Sequence, residues 1–175
     1  MKENWEISCD KVLESEGGYK LTNIPGDAGG QTYAGIARVP NPHWEGWAYI
    51  DRGETPPKSL VRDFYKASYW NKVHGDDLPA GLDYAVYDFA VNAGPGRAAK
   101  LLQRAVGVAD DGIIGPGTMA AIAKADPHHA LDQFSAAKEL FYNGIVSRDP
   151  SQAKFIKGWL NRVAHVQQAA STMLA

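Results

Sequence analysis

Apolar residues near the start of the chain recur with a helical period. Trp5, Cys9, Val12 and Leu13 fall on one stripe and predict a helix from about Asn4 to Glu16. Ile7 lies off that stripe, which predicts contact on more than one side of the helix. Gly17-Gly18 ends it, Gly17 being suited to the left-handed residue just past a helix. Pro25-Gly26, Gly29-Gly30 and Gly35 then cut the chain into short extended pieces, read as a small hairpin-like sheet near residues 20–36. Prolines 40, 42, 56 and 57 bracket a turn of helix around Trp44 to Ile50. Ser59 can cap the next helix, whose expected buried face holds Leu60, Phe64, Ala67 and Tyr69. After Pro79, the spacing of Leu82, Ala85, Val86, Phe89 and Ala90 predicts the strongest core helix, stopped by Asn92-Ala93-Gly94-Pro95-Gly96.

Beyond that break the helical pattern continues. Ala98, Leu101, Leu102 and Ala105 mark one helix, and Pro116 opens another over Thr118 to Lys124. Asp126 caps a longer one with Pro127 in its first turn, running to about Ser147 through Leu131, Phe134, Leu140, Phe141 and Ile145. A last helix carries Phe155, Ile156, Trp159, Leu160 and Val163. The expected fold class is mainly α with a small β-hairpin or sheet. The expected organisation is a lobe over residues 1–93 and a helical lobe over 94–175, packed as one compact unit.

Composition narrows the function. With 45% apolar and 22% charged residues the chain reads as a globular domain, and its net charge of −2 offers no basic surplus for a nucleic-acid backbone. Five Trp and eight Tyr supply both core and possible sugar-stacking surfaces. A single cysteine, Cys9, excludes an intramolecular disulfide and reads as buried packing. The first residues lack the layout of a secretory signal, and no apolar run suits a membrane helix. A monomer made in the cytoplasm, without stable membrane insertion, is the expectation; an extracellular substrate then requires a separate release route.

The chemistry gathers around Glu16. A carboxylate at a helix C-terminus meets the negative end of the helix dipole and unpaired carbonyls, a setting that suits a proton donor. Asp27 follows eleven residues later and Thr32 five after that. If the chain folds back, all three can face one cleft, with one carboxyl as acid, one as carboxylate, and a hydroxyl to orient water. Residue type and spacing alone leave the plainer reading open, in which Glu16 is a solvated surface residue and Asp27 a turn former. Glu14 lies near the opposite helix face and reads as a solvent-facing charge. The histidines show no metal-ligand spacing, Asp110-Asp111-Gly112 lacks the rest of a calcium loop, and Gly94-Pro95-Gly96-Arg97 lacks the context of a phosphate loop.

Glu16-Gly17-Gly18-Tyr19, followed by Asp27, Gly29-Gly30, Thr32 and Gly35-Ile36, resembles the opening of glycoside hydrolase family 108. The resemblance continues in Asn41-Pro42-His43-Trp44, Asp77-Leu78-Pro79 and Ala85-Val86-Tyr87-Asp88-Phe89-Ala90-Val91-Asn92. It implies a lysozyme-like helical fold and a phage-type N-acetylmuramidase with Glu16 as catalytic acid. By analogy with phage lysozymes, Asp27 and Thr32 take supporting catalytic roles, although the spacing from Glu16 to Asp27 is longer here. Ala28 replaces a frequent Pro and Tyr33-Ala34 a frequent Asn-Tyr. Tyr19, Tyr33 and Tyr87 are candidate cleft aromatics, each with a core reading beside it. Asp88 and Asn92, four apart on one helix face, are candidates for the far wall of the cleft. Leu102-Gln103, Gly107, Asp111-Gly112, Gly115-Pro116 and Thr118 are similar to a peptidoglycan-binding module, and the same letters would also cap and pack two short helices.

The resemblance points to an endolysin acting on peptidoglycan glycan strands, with no metal and no organic cofactor required. Its rivals are a lytic transglycosylase on the same bond and a non-catalytic wall-binding or secretion-accessory protein.

Overall fold

The computed structural model describes residues 4–23 and 30–174. They divide into two compact units, one over Glu6–Ser68 and one formed by Met1–Trp5 with Tyr69–Ala175.

The Glu6–Ser68 unit begins in α1 (Trp5–Ser15), whose buried stripe is the expected one: Cys9, Val12 and Leu13 are shielded from solvent. Ile7 is 53% exposed, so it does not mark a second buried side of this helix. Strands β1 (Leu21–Asn23), β2 (Gln31–Tyr33) and β3 (Ile36–Ala37) form an antiparallel sheet in that order. Leu21 pairs with Tyr33, Thr22 with Thr32, and Thr32 in turn with Ala37. The two-residue turn Ala34-Gly35 between β2 and β3 has φ of 49° and 78°. Two positive φ values in a two-residue loop match the twist of paired strands. Helix α2 (Gly46–Asp51) buries Trp47, whose indole donates to Asn41 O at 2.8 Å. Arg38 locks the end of the sheet to α2 through two 2.7 Å hydrogen bonds to Asp51.

Helix α3 (Lys58–Tyr65) starts after Pro57, two residues earlier than a Ser59 cap would place it. Its buried pair is Val61 and Tyr65, not Leu60 and Phe64, and Ala67 is exposed. Both pairs have helical spacing; the buried one contains the phenol that finds a partner, since Tyr65 Oη donates to Ala34 O at 2.9 Å. Arg62 bridges Glu6 and Asp10 of α1, tying α3 to it.

The second unit contains α4 (Leu82–Ala93), α5 (Pro95–Ala105), α6 (Pro116–Lys124), α7 (Pro127–Arg148) and α8 (Ala153–Met173), with α4, α5, α7 and α8 packed on one another. Every residue from Leu82 to Ala90 is buried, so α4 is enclosed on all sides. Trp5, Trp70 and Tyr87 meet in a three-ring cluster with centroids 5.4–5.6 Å apart. Phe89 takes the edges of Phe134, Phe141 and Tyr142. Asp126 caps α7 as the sequence predicts, its carboxylate accepting from His129 N at 2.8 Å. The fold is mainly α with one small antiparallel sheet. Among the described residues no helix is long and apolar enough to cross a membrane.

Candidate functional site

Glu16 directly follows α1, its N–H still donating to Val12 O at 2.9 Å, and the glycines after it close the helix in a Schellman motif. Gly18 N donates to Leu13 O at 2.8 Å and Gly17 N to Glu14 O at 3.1 Å, with φ of 90° at Gly17 and 74° at Gly18. The motif fixes where α1 stops and therefore where Glu16 sits. The next bond continues the path: Ala34 N donates to Lys20 O at 3.0 Å, bringing the β2–β3 turn back to the segment following Glu16.

That turn supplies the surface against the glutamate. A Cβ placed on Gly35 would lie 3.5 Å from Glu16 Cβ and 3.7 Å from its Cγ, and would collide with Tyr65 Oη. The Glu16 distances are ordinary packing contacts, and it is the Tyr65 hydroxyl that leaves no room for a side chain at this position. Ala34, the neighbouring residue with positive φ, is held by the strand bond through its nitrogen and by Tyr65 through its oxygen. An L-residue in this region persists where its surroundings over-determine it. Tyr65 is thus a supporting residue that the sequence reading missed. A phenol at helical spacing beside an apolar stripe, requiring a buried partner, was the available signal.

Thr32 is half-buried on the central strand, two residues before Ala34, and its carbonyl accepts from Thr22 Oγ1 at 3.4 Å. Asp27 lies outside the described residues. Tyr33 is buried, its ring stacked on Trp44 at 6.0 Å, and burial raises its phenol above the ordinary 10.0. It also forms one wall of a cavity of about 240 Å³ with Leu21, Ile50, Glu54 and Pro56. Glu54, not singled out from sequence, pairs with Arg52 at 2.9 Å, and that hydrogen bond holds its carboxyl below the usual range. Tyr19 lies beneath the Lys58 ammonium at 5.0 Å. Burial, partly offset by Arg62, raises its phenol.

The three remaining candidates belong to the other unit. Tyr87 is fully buried between Trp5 and Trp70, so it is a core aromatic and not a cleft surface. Asp88 is also buried: its Oδ1 accepts from Arg162 at 2.8 Å, and Lys138 Nζ lies 3.8 Å from Oδ2. Two cations occupy the carboxylate that the helix-face argument assigned to a cleft wall, because α4 is enclosed. Asn92 is exposed and donates to Asp88 O at 2.8 Å.

The binding-module letters form an internal cluster. Gln103 is buried; its Nε2 donates to Asp111 Oδ1 at 2.7 Å, Ile113 O at 3.0 Å and Thr118 Oγ1 at 3.1 Å, and its Oε1 accepts from Gly112 N at 2.9 Å. The Gln103 and Ile113 N–H bonds hold Asp111 below the usual carboxylate range. The motif therefore joins α5, the Asp111-Gly112 turn and α6 in a packing role.

Comparison with known proteins places these features. Residues 9–94 match the family described as Glycosyl hydrolase 108, and residues 97–164 match a family described as Predicted Peptidoglycan domain. None of the curated proteins matches the chain. Among solved structures, SagA from Brucella abortus is 34% identical, with a TM-score of 0.78 over 99% of this chain and 97% of that one. Similarity at this level across nearly the whole of both chains, together with the match over the segment that holds Glu16, makes the chain a member of glycosyl hydrolase family 108.

Proposed function

We propose that the chain is an N-acetylmuramidase that hydrolyses the β-1,4 bond between N-acetylmuramic acid and N-acetylglucosamine, and that it serves a phage or prophage as an endolysin. The coarser statement rests on the family and the peptidoglycan domain, which support a glycoside hydrolase directed at peptidoglycan. The finer one is carried by the placement of Glu16, which ends α1 with its side-chain stem against the one turn residue, Gly35, that presents no side chain.

In this reading Glu16 gives its proton to the departing glycosidic oxygen as the bond to the anomeric carbon breaks. The ring carbon gains oxocarbenium character, and water supplies the new hydroxyl. Asp27 is assigned the second carboxylate's work from the family analogy, and Thr32 the orientation of water. The protein meets its substrate after release from the cytoplasm that made it.

Mass spectrometry of digested sacculi, with wild type and Glu16→Gln side by side, tests this. Wild type yields muropeptides with reducing ends, and Glu16→Gln yields none while melting at the same temperature. Anhydro-muramic ends would replace hydrolysis by the transglycosylase reaction. Equal digestion by the variant would remove Glu16 from the mechanism.

A further inference from the structure

The turn that meets Glu16 is gripped at two consecutive residues. Tyr65 holds Ala34, through the 2.9 Å bond from its hydroxyl to the Ala34 carbonyl. The residue before it, Tyr33, is held by Trp44, whose indole stacks on the phenol ring at 6.0 Å and 23°. Both grips lead back to α3. Tyr65 is the last residue of that helix, and the Trp44 indole N–H donates at 3.3 Å to the carbonyl of Leu60 in its first turn. Arg62 in turn ties α3 to Glu6 and Asp10 of α1. The contacts close a ring within the Glu6–Ser68 unit: from Glu16 to Gly35, along the turn to Tyr33 and Ala34, through Trp44 and Tyr65 to α3, and back to α1.

The stretch Asn41-Pro42-His43-Trp44, between β3 and α2, fixes that indole. Asn41 Nδ2 donates to Ala37 O, at the end of β3, at 2.9 Å. The Asn41 carbonyl accepts from Trp44 N at 3.3 Å as well as from the Trp47 indole. The Trp47 ring meets Trp44 edge-on, at 5.2 Å and 84°. A Cβ on Gly46 would collide with the six-membered ring of Trp44, so α2 can begin there only on a residue without a side chain. A ring bounded by Tyr33, Trp47 and Gly46, and tethered by its own N–H, passes a displacement on to its neighbours rather than absorbing it.

We infer that Trp44 and Tyr65 are positioning residues for Glu16, a two-point clamp that sets where the Ala34-Gly35 turn stands against the glutamate stem. One grip would leave the turn free to pivot about Ala34. The second, on the residue before it, removes that freedom. Misplacing a reacting group by about 1 Å can cost on the order of a hundredfold in rate, so neither residue has to touch the glycan to control turnover. The inference rests on the reading of Glu16 as the proton donor.

The test measures steady-state rates of the full chain on soluble peptidoglycan fragments. Tyr65→Phe and Trp44→Leu each lower kcat about tenfold and leave KM within about twofold, and Trp44→Phe, which keeps a flat ring against Tyr33, restores most of the loss. The double variant Trp44→Leu/Tyr65→Phe loses about as much as the worse single one, whereas residues acting separately would multiply to about a hundredfold. Hydrogen exchange reads the clamp without activity. The Ala34 amide, bonded to Lys20 O, exchanges faster in both single variants, while buried Leu102 in the other unit keeps its wild-type protection. Should Trp44→Leu melt too low to assay, Tyr65→Phe, which removes one hydroxyl, carries the same comparison. Wild-type kcat in Tyr65→Phe overturns the inference, and so does a raised KM at unchanged kcat, which would assign Trp44 to glycan binding. Absence of muropeptide release by wild type removes the muramidase reading, and unchanged Ala34 exchange removes the clamp, so the two failures are told apart.

Discussion

Lys138 is a lysine shielded from solvent, with Asp88 as the anion beside it. Burial lowers its pKa from the ordinary 10.5, Asp88 works in the opposite direction, and Arg162 adds to the lowering. The sign of the stability effect follows. Between the lowered folded-state pKa and 10.5 the unfolded chain holds the extra proton, so stability rises with pH through that interval. Tyr84, pushed up to about 12 mainly by burial, and Tyr142, raised for the same reason, act oppositely above about pH 10, where the unfolded phenols ionise first. Urea melts at pH steps approaching 10.5 from below should show wild type gaining stability relative to Lys138→Met; parallel curves would contradict the lowered pKa of the buried lysine. At this scale the sequence was least informative. Asp88 and Asn92 were legible as one helix face, but whether that face met solvent depended on helices more than forty residues away. The placement of Glu16 at the end of α1 was legible because its setting is local: two glycines and a helix end.

At the scale of elements, the Schellman close of α1 is what aims the segment that holds Glu16. Gly17 has open space around the position of a Cβ, so a side chain there meets no clash and the cost is purely one of backbone conformation at φ of 90°. Gly17→Ala should destabilise the protein by about 1 kcal/mol. It should also lower kcat by displacing Glu16, with KM little changed. Calorimetry and initial rates on sacculi check the pair, and a variant with normal melting and normal kcat would sever the cap from catalysis. Helix positions elsewhere were legible through their stops and caps, as at Asp126. The face of α3 was not. Leu60/Phe64 and Val61/Tyr65 satisfy the same spacing, and the choice was made by the carbonyl of Ala34, a partner thirty-one residues distant. The small sheet was legible from its glycines, though its third strand and register needed the pairing itself.

At the scale of the whole molecule, family boundaries and packing boundaries fall at different places. The two family segments meet between residues 94 and 97, whereas the compact units divide after Ser68. Helix α4 lies within the glycosyl hydrolase segment and packs on α5, α7 and α8. A fragment ending at residue 93 would strip those helices from the buried run Leu82–Ala90. It should therefore show no cooperative thermal transition by circular dichroism, while the full chain does. A sharp melt for the fragment would show that α4 needs none of its helical neighbours. The sequence break at Asn92–Gly96 was real as a helix stop, but a stop between helices carries no information about which helices share a core.

The place of Trp5 in the second unit also sets an order of assembly during synthesis. The Glu6–Ser68 unit is one continuous stretch and has all its internal partners once Ser68 has left the ribosome. Trp5 emerges before any of it, yet its ring partners, Trp70 and Tyr87, come later, and α8 later still. At ordinary elongation rates the stretch from Tyr69 to the end takes roughly 5 to 20 s to appear. For that interval Trp5 stays without its ring partners, an unplaced tryptophan that a chaperone can hold.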